Sequence, residues 1–171
     1  AFPGRSEADL LNTARESAAR MFEMGFFSLC YPFLGKDKLR KSVTYTEHAE
    51  KTLSRMRMSG QAYVIMIPHV CLFETLATSP HFRPQGNRRL GAIYRPNKNQ
   101  ALDKWINSAR QDVGIATFSR KAGFSQTKKF LKKGNWLAIL FDQNAGRQGT
   151  LSFFLDRIAS VTTLPDLLAK S

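Results

Sequence analysis

A chain of 171 residues suits one domain, and 43% hydrophobic residues supply a core that a disordered chain lacks. Lys and Arg number 26 against 13 Asp and Glu, a formal net charge of +13. Residues 1–50 hold seven of each sign, so residues 51–171 carry the whole excess and offer a basic face to an anionic partner. Composition leaves nucleic acid, acidic lipid and an acidic carrier protein all open.

No apolar run reaches the ~18–20 residues of a membrane span. The nearest, Met24 to Leu34, is too short and contains Pro32. Cys30 and Cys71 are far apart in sequence and lie among apolar neighbours, which reads as two reduced, buried thiols. His48, His69 and His81 never fall at ligand spacing with them or with each other, so neither a metal nor a cofactor is expected.

In chain order, Ser6-Glu-Ala-Asp9 opens a helix with a capping box, followed by Leu11, Ala14, Ala18, Met21 and Phe22 at helical spacing. A second amphipathic segment runs from about Thr46 to Met58 and stops at Gly60. Ala62 to Ile67 is a continuous apolar run, as in a strand covered on both faces. Leu72 to Thr78 starts a helix, and Leu90 to Tyr94 is a second strand. Asn97 or Asn99 caps a helix whose Leu102, Trp105, Ile106 and Ala109 share a face. Ser125 to Lys133 is a short helix closed by Gly134, and Trp136 to Phe141 repeats the apolar strand. A polar loop, Asp142 to Gly149, follows, and the chain stops after a helix in progress. Alternating helices and apolar strands, with no linker or internal repeat, predict one α/β domain over residues 1–171.

Pro68-His69 and Asp142-Gln143 each follow directly on a predicted buried strand. In open α/β sheets ligands bind beyond the carboxyl ends of strands, so these loops are where a site is expected. His69 and Glu74 form H-x4-E. Five positions on one regular helix turn through roughly 140°, so the two side chains meet only if His69 sits in the strand-end turn and Glu74 on the helix that follows. A carboxylate on one imidazole nitrogen fixes the tautomer and leaves the other nitrogen free to take a proton from a hydroxyl. The expectation is a dyad with His69 as base and Glu74 as its orienting partner.

Four blocks stand in order: Ala1-Phe-Pro, His69-Val-Cys-Leu-Phe-Glu74, Tyr94-Arg-Pro-Asn-Lys-Asn99, and Asp142-Gln-Asn-Ala-Gly-Arg-Gln-Gly149 with Phe153-Phe154 after it. With them the chain resembles, over nearly its whole length, the bacterial lipid A biosynthesis acyltransferases, the lauroyl and myristoyl transferases of the lysophospholipid acyltransferase superfamily. The resemblance implies a mixed, largely parallel central sheet flanked by helices, glycerolipid acyltransferase-like and incomplete, lacking an N-terminal membrane anchor and a C-terminal part. It implies fatty acyl transfer from a thioester of acyl carrier protein, or of CoA, to a hydroxyl of a lipid A precursor at the cytoplasmic face of a bacterial inner membrane. By position it makes His69 the base and Glu74 its partner, Arg95 a binder of phosphate or of developing negative charge, and Asp142 and Gln143 part of the site wall. Asn99 is a candidate substrate contact whose position also suits a helix cap. The chain departs from the family pattern at Asn144, where an acid is common, and at Leu155-Asp156-Arg157, where a small residue, often Gly, follows the two phenylalanines.

Within the same class the acceptor could be another glycolipid or a lysophospholipid. A basic nucleic-acid-binding module is the competing reading of the charge. No RNP-like strand, KH loop or zinc spacing accompanies it, and the aromatic cluster at residues 26–33 lies in the neutral part of the chain, so no nucleic-acid partner is expected. Arg83, Arg88, Arg89, Lys128, Lys129, Lys132 and Lys133 are candidates for facing anionic head groups or an acidic carrier, or form a solvated face. Phe26, Phe27, Tyr31 and Phe33 either pack in the core or meet lipid.

Overall fold

A computed structural model of the chain describes residues 4–41, 43–70, 72–79, 81–120 and 123–171. The Ala1-Phe-Pro block and Cys71 lie outside the described residues. Helix α1 spans Glu7–Cys30 and is capped where the sequence placed the cap, with Ser6 Oγ accepting the Asp9 N–H at 3.2 Å. After α2 (Lys36–Lys41), helix α3 (Glu47–Ser59) starts on Thr46 and ends at Gly60, whose φ of 71° is the left-handed conformation of a helix stop. The elements that follow are β1 (Tyr63–Ile67), α4 (Glu74–Thr78), β2 (Leu90–Tyr94), α5 (Gln100–Asp112), β3 (Ile115–Ser119), α6 (Gly123–Leu131) and β4 (Trp136–Leu140). A hairpin of β5 (Thr150–Phe154) and β6 (Arg157–Val161) and a final helix, α7 (Leu164–Ala169), complete the chain.

Strands β1 to β4 form one sheet in the order β1-β4-β2-β3, every neighbouring pair parallel, and β5 and β6 pair antiparallel in a sheet of their own. The fold is α/β with a largely parallel sheet flanked by helices. The apolar run of β4 is explained by cover on both faces. Trp136, fully buried, packs with Leu53 of α3, Phe82 and Leu90, while Leu137 and Ile139 point the other way against Leu131 of α6 and Leu168 of α7. Beside β4, Gly91 leaves room for Phe130 and Phe118: a Cβ there would come within 2.7 Å of one ring and 2.9 Å of the other.

A third cluster joins Tyr31, Leu39 and Ala109, with Phe27 packed on it. Phe26 and Phe33 remain 71% and 79% exposed, so the early aromatic cluster divides between core and surface. Much of the apolar spacing of α1 stays exposed as well, including Met21 and Phe22. Among the described residues no helix is long and apolar enough to cross a membrane.

Parallel strands put all their carboxyl ends on one edge of the sheet. His69, Asp142, Arg95 and Arg120 therefore leave the sheet together. The opposite edge receives Arg88 and Arg89, which lead into β2, and Lys132 and Lys133, which lead from α6 into β4. Arg83 reaches the same end, donating to the Val113 carbonyl ahead of β3 at 3.1 Å. These basic residues stand away from the edge that carries His69.

Candidate active site

Pro68 ends the β1 ladder, and His69 follows in the turn. In the β1–β4 register Ile67 is opposite Leu140, so two residues further on His69 faces Asp142. The side chains use that proximity. Asp142 Oδ2 accepts the His69 backbone N–H at 2.8 Å, and Oδ1 lies 2.6 Å from Nδ1. Burial works to raise the Asp142 carboxyl's pKa, but the hydrogen bonds from the His69 ring and backbone outweigh it and hold the group below the usual carboxylate range. An ionised Asp142 fixes the proton of His69 on Nδ1 and leaves Nε2 as a free base. The Phe73 ring meets the imidazole edge-on, with centroids 5.2 Å apart, and the His69 side chain is 22% exposed.

Glu74 is held elsewhere. It opens α4, is 4% exposed, and forms an ion pair with Arg110 of α5, whose side chain is 18% exposed. Buried Tyr31 lies against this pair, its hydroxyl without a hydrogen-bond partner among the described residues. Burial first, then the Glu74 charge, push that hydroxyl's pKa up to about 12. The expected contact of Glu74 with His69 is thus replaced by two pairs, His69 with Asp142 and Glu74 with Arg110. The reason is depth: a carboxylate this buried needs a cation at hand, and α5 brings Arg110 to it, whereas His69 stays at the rim beside β4.

The other expected residues divide. Arg95 is exposed beyond β2, the neighbour of β4, and makes no ion pair among the described residues. Arg120, beyond β3, stands next to it, its backbone N–H donating to the Tyr94 carbonyl at 2.9 Å. Gln143 is exposed directly after Asp142. Asn99 spends its side chain as the cap of α5, accepting the Leu102 N–H at 3.1 Å. An apolar cavity of about 430 Å³ opens beside His69, lined by Ile67, Pro68, Val70, Leu72, Phe73 and Leu76 together with Thr75. A base, an exposed guanidinium along the edge and an apolar cavity together suit proton transfer at a group carrying an aliphatic chain.

Arg110 was not anticipated, although a cation four residues after Ile106 borders the apolar stripe of its helix. Comparison with known proteins gives one family: its model, described as bacterial lipid A biosynthesis acyltransferase, matches residues 1–171. No curated protein matches the chain.

Proposed function

Because the chain belongs to the bacterial lipid A biosynthesis acyltransferases, and is therefore an acyltransferase, we propose that it moves a fatty acyl group from a thioester to a hydroxyl of a lipid A precursor with His69 as the base. The observation that carries this reading is the contact of Asp142 with both the backbone N–H and Nδ1 of His69, which leaves Nε2 to act. The acceptor hydroxyl gives its proton to Nε2 as its oxygen attacks the thioester carbonyl carbon. The carbonyl oxygen takes the negative charge, and the imidazolium is supported by Asp142. When the intermediate collapses, the C–S bond breaks and the proton passes from Nε2 to the departing sulfur, giving a free thiol and an ester.

Arg95 is the cation we assign to the oxyanion or to an acceptor phosphate. The cavity beside His69 suits the acyl chain, its apolar lining replacing the water that an aliphatic chain sheds. Glu74 supports the site indirectly, by joining α4 to α5 through Arg110. The donor in this reading is acyl carrier protein or CoA, and the work is done at the cytoplasmic face of the bacterial inner membrane.

The test is transfer from an acyl-carrier-protein thioester to a lipid A precursor, comparing the wild type with His69→Ala. Removing a general base lowers turnover by roughly 10²–10⁴-fold. Unchanged turnover would sink the mechanism, and transfer to a lysophospholipid alone would replace the acceptor.

A further inference from the structure

The β5–β6 hairpin is built unlike the rest of the chain. Its register sets Phe153 opposite Ile158 and Leu151 opposite Ser160, which gives one face three large apolar side chains. All three are exposed, Phe153 at 80%, Leu151 at 70% and Ile158 at 67%. The turn between the strands is Leu155-Asp156, both in the left-handed region at φ of 49° and 58°. Asn-Gly or Asp-Gly fills such two-residue turns without strain; a leucine does not. Leu155 nevertheless stands at the tip, 65% exposed. An apolar side chain in a strained conformation at an exposed tip calls for an apolar medium to receive it.

The base of the hairpin is fixed to the loop that carries Asp142. The Ala145 N–H donates to the Ser160 carbonyl at 3.0 Å, and Ser160 Oγ donates to the Gly146 carbonyl at 2.7 Å. Gly149 is needed for this closure, because a Cβ there would lie 2.1 Å from Ser160 Oγ. The charge pattern around that apolar face names the medium. Arg157 pairs across the ladder with Phe154 beside the turn, on the face opposite Phe153 and Ile158, and Arg147 lies at the base, both exposed. Asp156 is the one acid between Asp142 and Asp166. Exposed Arg95 and Arg120 lie on the same edge of the sheet. An apolar hairpin face with guanidinium groups on the opposite face and at its base matches the layering of a bilayer whose head groups are anionic.

We propose that the β5–β6 hairpin inserts shallowly into an anionic lipid leaflet, with Phe153, Leu155 and Ile158 among the acyl chains and Arg147 and Arg157 at the head-group phosphates. Asp156 at the tip limits the depth. Through Ala145, Gly146 and Ser160 the inserted hairpin holds Asp142 and His69 above the same leaflet, where the hydroxyl of a lipid acceptor lies. The role of that contact in catalysis rests on the lipid-acceptor reading above; the insertion itself does not.

The test is partitioning of the 171-residue chain onto vesicles of phosphatidylglycerol and phosphatidylcholine, measured by sedimentation for wild type, Leu155→Asn and Phe153→Ser. Each substitution is expected to weaken binding by about tenfold or more, since burying one large apolar side chain exceeds the free energy of a tenfold step. The unfolding midpoint of Leu155→Asn should match or exceed that of wild type, because Asn accepts positive φ, which separates lost insertion from lost folding. Equal partitioning of all three proteins overturns the proposal, as does failure of the wild type to bind the vesicles. A wild-type dimer that Leu155→Asn dissolves, without vesicle binding, assigns the face to a second copy instead. Leu155-dependent binding in a chain that transfers no acyl group would leave the hairpin standing and remove the function proposed above.

Discussion

Breaking the Glu74–Arg110 pair from one side should cost far more than breaking it from both. With side chains 5% and 18% exposed, neither charge recovers its hydration when the other is removed. Arg110→Leu strands a carboxylate in a buried site, beside the Tyr31 hydroxyl that burial and the Glu74 charge already hold in its neutral form. The expected loss is about 3–5 kcal/mol, which for a chain of this size lowers the thermal midpoint by roughly 6–20 °C. Glu74→Leu strands the guanidinium and should cost a similar amount. The double variant removes both charges and fills the space with apolar volume, so most of the stability returns. Urea unfolding of the wild type, both single variants and the double variant gives the coupling energy, expected to be at least about 2 kcal/mol. Single losses below about 1 kcal/mol that simply add would refute the assignment of Glu74 to a structural ion pair.

Three further outcomes are expected. The Tyr31 hydroxyl is neutral in the fold up to about pH 12 and ionises near pH 10 once unfolded. Its contribution is therefore complete below pH 10 and lost as the pH rises toward 12; Tyr31→Phe should flatten that alkaline loss of stability and, by removing an unpaired buried hydroxyl, should not destabilise at neutral pH. Gly91→Ala pushes a methyl group into the Phe130 and Phe118 rings and should cost about 1–3 kcal/mol by thermal or chemical unfolding; a neutral result would mean that the rings are free to shift. Arg95→Ala should slow acyl transfer without changing the unfolding midpoint, since its side chain is exposed and unpaired among the described residues, and an unaltered rate would remove it from the site.

How much of this was legible in the sequence depended on whether the signal was local. The cap at Ser6, the helix start near Thr46, the α5 cap at Asn97 or Asn99, the stops at Gly60 and Gly134, and the strands β1, β2 and β4 are set by neighbouring residues and are readable to within a residue or two; the structure takes Asn99 as the α5 cap and makes Thr46 a cap as well. Strand β3, no shorter than its neighbours, is unmarked in the sequence because Ile115-Ala-Thr-Phe-Ser carries two small polar residues, although Gly114 at φ 85° precedes it. The hairpin was hidden by its turn, since Leu155-Asp156 carries none of the glycine or asparagine that announces positive φ. The partner of His69 is a matter of strand order. Both His69 and Asp142 could be placed after strands, but nothing local says that β4 lies beside β1. H-x4-E put the nearest carboxylate in sequence forward, while the sheet supplied one 73 residues away. The basic clusters show the same limit: they were visible as composition, and only the parallel sheet separates those on the His69 edge from those on the opposite one.

The most direct test asks which carboxylate serves His69. Acyl-transfer kcat/KM should be measured for Asp142→Asn and Glu74→Gln, each corrected for its folded fraction. Asp142→Asn is expected to fold normally and lose roughly 10²–10⁴-fold, because an amide supports neither the required tautomer nor the imidazolium. Glu74→Gln is expected to lose stability and to keep most of its activity per folded molecule. The reverse result, an active Asp142→Asn beside a folded but inactive Glu74→Gln, would contradict the account and return Glu74 to the imidazole.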